Sequence, residues 1–329
     1  MREPGFWHRP GAAMGGLLAP FAAIYGAVAA RRMVQTGTIA GIPVLCIGNL
    51  TVGGAGKTPT AIAVARLLVE AGERPFMLSR GYGGRLAGPV RVDPASHGAA
   101  DVGDEPLLLA RTAPTIVSRD RVAGAAASRA AGASIVVMDD GFQNPALAKD
   151  ASLLVIDGAR GIGNGRVFPA GPLRAPLDAQ LARAHALLVI GEGDGAQPVI
   201  AAASGLPVFH GRLEPDAQAV AALRGTRVLA FAGIGDPAKF FATLTAAGID
   251  VRETRAFPDH HPYRRDEAAG LIEQASRDGL VLVSTEKDLA RLAGADDLQA
   301  LAGVARALPV RLEVTEAEAF RRFVLMRAA

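Results

Sequence analysis

Ile42-Pro-Val-Leu-Cys-Ile-Gly-Asn-Leu-Thr-Val-Gly-Gly-Ala-Gly-Lys-Thr58 sets an apolar run before a glycine-rich turn, and a helical pattern continues from Lys57 to Ala71. Strand, glycine loop and helix together are the context in which such a loop holds a phosphate. Glycines let consecutive amides turn toward one anion, and the helix start adds its positive end. The residues expected to line the anion are Thr51, Val52, Gly53, Gly54, Ala55, Gly56, Lys57 and Thr58. Lys57 would reach the terminal phosphates, and Thr58 would place its hydroxyl on Mg²⁺. The general G-x-x-x-x-G-K-[ST] pattern wants glycine at position 51, where this chain has threonine. The loop alone points to a nucleoside triphosphate, not to one reaction.

Outward from the loop, β-prone runs alternate with helical ones. Pro75–Leu78, Thr115–Val117, Ser134–Met138, Leu153–Ile156 and Leu187–Ile190 read as strands, and Arg121–Ala131 as a helix between two of them. Buried strands alternating with helices predict an α/β fold: a mostly parallel sheet of P-loop NTPase type with helices on both faces. A second, smaller α/β unit starts near Gly225, with strands at Arg227–Ala232, Val251–Thr254 and Leu280–Ser284. A strand at Pro309–Val314 and a last helix follow in the same unit. The division expected is 1–35, 36–215 and 216–329. The irregular, Gly- and Pro-containing stretch Gly158–Pro176 is long for a structureless loop, which suggests that it binds something.

Half of the 329 residues are apolar and 20% are charged, which excludes disordered and fibrous classes. The single cysteine, Cys46, excludes an intramolecular disulfide and a cysteine-built zinc site. Arginine supplies most of the positive charge, since the only lysines are Lys57, Lys149, Lys239 and Lys287. The net charge of +3 suits an anionic ligand or lipid surface. It is too weak to argue for nucleic acid, and no recognition signature for one is present. Gly11–Ala30 carries no charge and precedes Arg31-Arg32. Twenty residues at ~1.5 Å each would just cross a hydrocarbon core of ~30 Å. Its glycines, alanines and Pro20 contribute little apolar area, so a membrane-associated helix that spans or one that lies in the interface both fit. A plain buried helix and a signal peptide are the other readings, and the latter would export the chain away from ATP.

Other residues suggest chemistry. Asp139-Asp140 ends an apolar strand, where a metal-binding acid of this fold belongs, and the two are not separable by position. Gly103-Asp-Glu-Pro106 is an ordinary helix start, or else one of Asp104 and Glu105 receives a hydroxyl proton. Phe257-Pro-Asp-His-His-Pro-Tyr263 puts two histidines in a proline-limited loop, where His260 or His261 could orient a carboxylate or meet a phosphate. Arg80, Arg85, Arg160, Arg166 and Arg174 sit in loops between strands and as a set suit a phosphorylated acceptor.

These pieces occur in an order that resembles the tetraacyldisaccharide 4'-kinase family. They are Gly48-Asn-Leu-Thr-Val-Gly-Gly-Ala-Gly-Lys-Thr-Pro59, Leu78-Ser-Arg-Gly-Tyr-Gly-Gly84, Val102-Gly-Asp-Glu-Pro106 and Asp139-Asp-Gly-Phe-Gln143. Further along come Phe168-Pro-Ala-Gly-Pro-Leu-Arg174, Phe231-Ala-Gly-Ile-Gly235, Phe257-Pro-Asp-His-His261 and Ser284-Thr-Glu-Lys-Asp288. Thr51 belongs to that family's own form of the loop. The resemblance implies transfer of the γ-phosphoryl of ATP, with Mg²⁺, to the 4'-hydroxyl of tetraacyldisaccharide 1-phosphate, a lipid A precursor. It implies work at the cytoplasmic face of a bacterial inner membrane, with no obligate protein partner, and two α/β domains with the site between them. It makes Asp104 the base, His260 its partner with His261 as the alternative, and Lys57 the charge stabiliser. Thr58 with Asp139 or Asp140 would serve the metal, while Arg80, Glu105, Arg174 and His261 form a weaker set on the substrate side.

Overall fold

A computed structural model describes residues 4–9, 11 and 13–326. Thirteen strands occur among them: β1 Val44–Asn49, β2 Pro75–Ser79, β3 Val90–Arg91, β4 Thr115–Val117, β5 Ile135–Asp139, β6 Ala151–Asp157 and β7 Ala186–Ile190. The rest are β8 Val208–Pro215, β9 Arg227–Ala232, β10 Asp250–Ala256, β11 Val281–Ser284, β12 Arg306–Ala307 and β13 Val310–Val314. They form a nine-stranded sheet, β13-β8-β7-β6-β1-β5-β2-β4-β3, and a four-stranded sheet, β10-β9-β11-β12. The small sheet is parallel throughout, and in the large one only the edge strands β3 and β13 run antiparallel. This is the mixed α/β architecture with a large, mostly parallel sheet that the alternating pattern implied.

The central strands are apolar along their whole length because helices cover both faces. Every residue of β1, β2, β5, β6 and β7 is buried. One core contains Cys46, Leu78 and Met138, and the other contains Ile47, Val64 and Val137. β1 lies in the middle of the large sheet, flanked by β5 and β6. Its carboxyl end, where the glycine loop begins, is therefore a point at which connections diverge and a crevice opens.

Two expected boundaries differ. β13 pairs with β8, and Phe320 and Phe323 of the helix Ala317–Leu325 pack against Phe209. Residues 310–325, assigned by reading order to the smaller unit, thus complete the larger sheet, where the β8 edge and its apolar face would otherwise lie open to water. The other difference is at the amino end. Helices Ala13–Leu17 and Ala19–Met33 replace one continuous helix, and Ala12 of the expected Gly11–Ala30 stretch lies outside the described residues, as do 1–3, 10 and 327–329 of the outer segments. Pro20 has no N–H to continue the hydrogen-bond ladder across the junction. Among the described residues no helix is long and apolar enough to cross a membrane.

The two amino-terminal helices instead dock on the irregular segment 158–176. Gly26 approaches Val167 and Pro176, Tyr25 meets Phe168 edge to face at 5.4 Å, and Arg166 donates to the Gly15 carbonyl at 2.7 Å. Met14, Leu17, Phe21, Ile24 and Val28, spaced three and four apart, remain exposed on the outer side.

Candidate active site

The loop after β1 is braced from below. Asn49 Nδ2 donates to the carbonyls of Thr51 (2.7 Å) and Gly53 (3.1 Å), and Arg174 Nε donates to Thr51 at 2.9 Å. The Val52 amide donates to the Pro172 carbonyl at 2.8 Å. Thr51 and Val52 are therefore tied to the segment 168–174, and Val52 has no free amide for an anion. The amides of Gly53, Gly54, Ala55 and Gly56 make no hydrogen bond to another described residue. Gly56, at φ +91°, caps the helix Lys57–Glu70, and a Cβ there would come within 2.7 Å of Ile190. Only glycine fits that turn without strain. The result is an arc of unspent donors at the positive end of a fourteen-residue helix.

Beside this arc, the two acids ending β5 have opposite surroundings. Asp139 is buried, and neither of its oxygens has a hydrogen-bond partner. Burial, then the nearby charge of Glu105, raises its carboxyl to about 7. Asp140, at φ +52°, turns outward to Arg174 Nη1 at 2.8 Å and to Lys57 Nζ at 3.9 Å. Burial works against its ionisation, but Lys57 and Arg174 overcome it and hold the carboxyl down at about 2. Burial lowers the pKa of Lys57 itself. Arg121 and Gln143 lock the corner: Arg121 Nη2 donates to the Asp140 carbonyl at 3.2 Å, and Gln143 Nε2 to the Asn49 carbonyl at 2.8 Å.

The helix Asp104–Leu109 carries the next pair of acids, and the smaller sheet supplies their partners. His260 Nδ1 lies 3.2 Å from Asp104 Oδ2, while Asp104 Oδ1 accepts from the Glu105 amide at 2.9 Å. Lys287 Nζ donates to Glu105 Oε1 at 2.6 Å, and Thr58 Oγ1 donates to the same oxygen at 3.3 Å. A chain of contacts therefore runs from the glycine loop through Glu105 to a lysine of the smaller unit. Burial opposes ionisation of Asp104, but the His260 hydrogen bond and the charges of Lys287 and Arg291 outweigh it, so its pKa falls. The hydrogen bond to Asp104 raises the pKa of His260. Burial also opposes the charged form of Lys287, and Glu105 with Asp104 more than reverses that.

His261 goes elsewhere. Its Nε2 lies 2.8 Å from Glu267 Oε2, and its ring stacks on Phe257 at 4.9 Å. Glu267 also caps its own helix through the Arg264 amide, so it draws His261 into the body of the smaller unit rather than toward Asp104. Arg80 is exposed just beyond β2, Arg85 pairs with Asp101 on the surface, and Arg160 bridges to Asp236 at 2.7 Å. Of the loop arginines, Arg174 alone meets an acid of the β5 end. Lys287, Arg291 and Tyr263 carried no role in the sequence reading. Ser284-Thr-Glu-Lys-Asp288 was singled out, but two cations four apart on a short helix are an ordinary solvated pattern until a buried acid pair is seen opposite them.

The family model for tetraacyldisaccharide-1-P 4'-kinase matches residues 14–329. The tetraacyldisaccharide 4'-kinase of Rhodopseudomonas palustris (strain BisB18) is 62% identical over 327 residues, covering 99% of this chain and 95% of that protein. That of Nitrobacter hamburgensis is 60% identical over 329 residues, with 99% and 98% covered. The crystal structure of LpxK from Aquifex aeolicus in complex with ATP superposes with a TM-score of 0.73 at 26% identity, covering 96% of this chain and 99% of that one. With a family match over nearly its full length and relatives this similar, the chain belongs to the tetraacyldisaccharide-1-P 4'-kinase family.

Proposed function

We propose that this chain is an ATP-dependent kinase that phosphorylates the 4'-hydroxyl of tetraacyldisaccharide 1-phosphate, with Asp104 as the base. The observation that carries the residue assignment is the seating of Asp104: buried, its pKa held down by its neighbours, and set between His260 and the Glu105–Lys287–Thr58 chain that leads to the glycine loop. The acceptor oxygen bonds to the γ-phosphorus, the bond from that phosphorus to the β–γ bridging oxygen breaks, and ADP leaves. The hydroxyl proton passes to the Asp104 carboxylate. A depressed pKa does not disqualify it, because proton removal is late in a loose transition state. The amides of Gly53 to Gly56 and the Lys57 ammonium stabilise the phosphates.

The residues present fit Mg²⁺. Among the described residues no three His, Cys, Asp or Glu side chains gather into a metal cage. Mg²⁺ with ATP needs only one or two protein oxygens, the rest coming from phosphate and water. Asp139, whose buried oxygens lack any donor, and the Thr58 hydroxyl would hold the ion, which would neutralise phosphate charge when bound. Asp140, already engaged by Lys57 and Arg174, serves to orient those cations.

The exposed stripe Met14, Leu17, Phe21, Ile24 and Val28 supports a helix lying in a membrane interface, with Arg31 and Arg32 at its end. The need for ATP as phosphoryl donor favours the cytoplasmic face of the inner membrane. Label from [γ-³²P]ATP should appear on tetraacyldisaccharide 1-phosphate in detergent micelles and vanish when Mg²⁺ is chelated. ATP binding without label on the lipid would reject the acceptor. In flotation with anionic vesicles, Phe21→Ser/Ile24→Ser should weaken binding by about 100-fold, as loss of two exposed apolar side chains that would sink partway into the bilayer implies. Unchanged flotation would reject the interfacial helix.

A further inference from the structure

Arg291 lies on the same helix as Lys287, Glu286–Ala293, one turn further on. Its side chain is 9% exposed, and three things surround it. Nη2 donates to Asp288 Oδ1 at 2.5 Å, the guanidinium carbon sits 5.9 Å over the centre of the Tyr263 ring, and Nε lies 3.6 Å from Asp104 Oδ2. Asp288 is fully buried and takes further hydrogen bonds from the Gly233 amide (2.9 Å), the Tyr263 hydroxyl (2.6 Å) and the Thr285 hydroxyl (2.5 Å). This frame fixes the guanidinium from behind.

A buried guanidinium that served only that frame would need only the contact through Nη2. Here Nε and Nη1 are buried without a hydrogen-bond partner, a costly arrangement for a cation. What Nε does face is the carboxylate of Asp104. The geometry points to Arg291 as a positioning residue for Asp104: it pins Oδ2 from inside the smaller unit while His260 holds the same oxygen from the more open side. Oδ1, held by the Glu105 amide, completes the fixing of the carboxylate plane. His260 is 28% exposed, whereas Arg291 is enclosed. Alignment of the base therefore depends on the seating of Glu286–Ala293 against Asp104–Leu109, a contact sealed by Ala290 among Leu107 and Leu108. A lysine could not span this geometry, because it lacks the planar fork that grips Asp288 while presenting Nε sideways.

This rests on Asp104 being the base, and a double-mutant cycle separates the two claims. Phosphoryl transfer to tetraacyldisaccharide 1-phosphate is measured for the full chain as wild type, Arg291→Gln, Asp104→Asn and the double variant, with ATP affinity and melting temperature recorded for each. Asp104→Asn should lower kcat by about 10²–10⁴-fold, the range for loss of a general base. Arg291→Gln should lower kcat by about 30-fold with KM for ATP nearly unchanged, and should cost less than about threefold further in the Asp104→Asn background. Equal losses in both backgrounds, or no loss in the first, would overturn the positioning role while leaving the base intact. Near-normal turnover of Asp104→Asn would remove the base and this role with it. If Arg291→Gln does not fold, Tyr263→Phe loosens the frame without touching Asp104. Its few-fold kcat loss must likewise vanish in the Asp104→Asn background, and persistence there overturns the inference.

Discussion

The two walls of the cleft are built in different ways. The wall on the large sheet is mostly backbone: amides at Gly53 to Gly56, a helix start at Lys57, and a strand end at Asp139. The wall on the small sheet is side chain: His260 from a loop, and Lys287 and Arg291 from a helix face, each aimed at an acid 150 or more residues away. A backbone site holds its shape because the strand–turn–helix geometry admits few alternatives. A side-chain site holds its shape only while the two units stay docked. The first should therefore fail by losing charge, the second by losing alignment.

Beyond Asp104 itself, Lys57→Ala gives the largest expected effect. Among the described residues the lysine's one ion pair is with Asp140 at 3.9 Å, and burial already disfavours its charge, so the ligand-free fold should survive with an unchanged or raised melting temperature. Turnover should fall by about 10³-fold, comparable to loss of a transition-state donor. A variant that unfolds instead would mean that the loop wall also depends on side-chain pairing.

Lys287→Met tests the other wall. It leaves Glu105 half-buried beside Asp139 without its cation, so both turnover and melting temperature should drop, turnover by about 10–100-fold. Adding Glu105→Gln removes the stranded charge and should recover the melting temperature but not the turnover. Recovery of both would reduce the Lys287–Glu105 bridge to a docking contact; recovery of neither would place Lys287 in the folding core of the interface.

The same contrast explains what could be read in the sequence. The placement of the glycine loop and of Asp139-Asp140 was legible because it follows from local order: glycines at set spacing before a helix start, acids where a buried strand ends. The large sheet was legible for the same reason, since strands such as Ile135–Asp139 are apolar throughout. Residues 310–325 were misplaced because nothing in Val310–Val314 states which of two sheets has a free edge. Val52 matched the loop pattern, yet the structure commits its amide to Pro172, a tertiary contact without local trace. His260 and His261 are chemically equal in sequence. Glu267 separates them, and only the fold shows that Glu267 also anchors a helix start.

The smallest effect is also the most diagnostic for the side-chain wall. Asp104 has a lowered folded pKa, so its contribution is present above the unfolded value of ~4 and lost as pH falls through the folded value. His260 has a raised folded pKa, so its contribution is full below the unfolded value of ~6.5 and lost as pH rises through the folded value. The pair therefore stabilises most between about pH 4 and 6.5. The melting-temperature gap between wild type and His260→Gln should be widest near pH 5.5, as thermal melts across the range would show. It should narrow toward pH 9, by a few degrees for a contribution of about 1 kcal/mol. A gap that does not change with pH would mean that His260 holds Asp104 as a neutral donor. The positive charge near Asp104 would then come from Lys287 and Arg291 alone, and the alignment of Asp104 would rest on the docked helix rather than on the histidine loop.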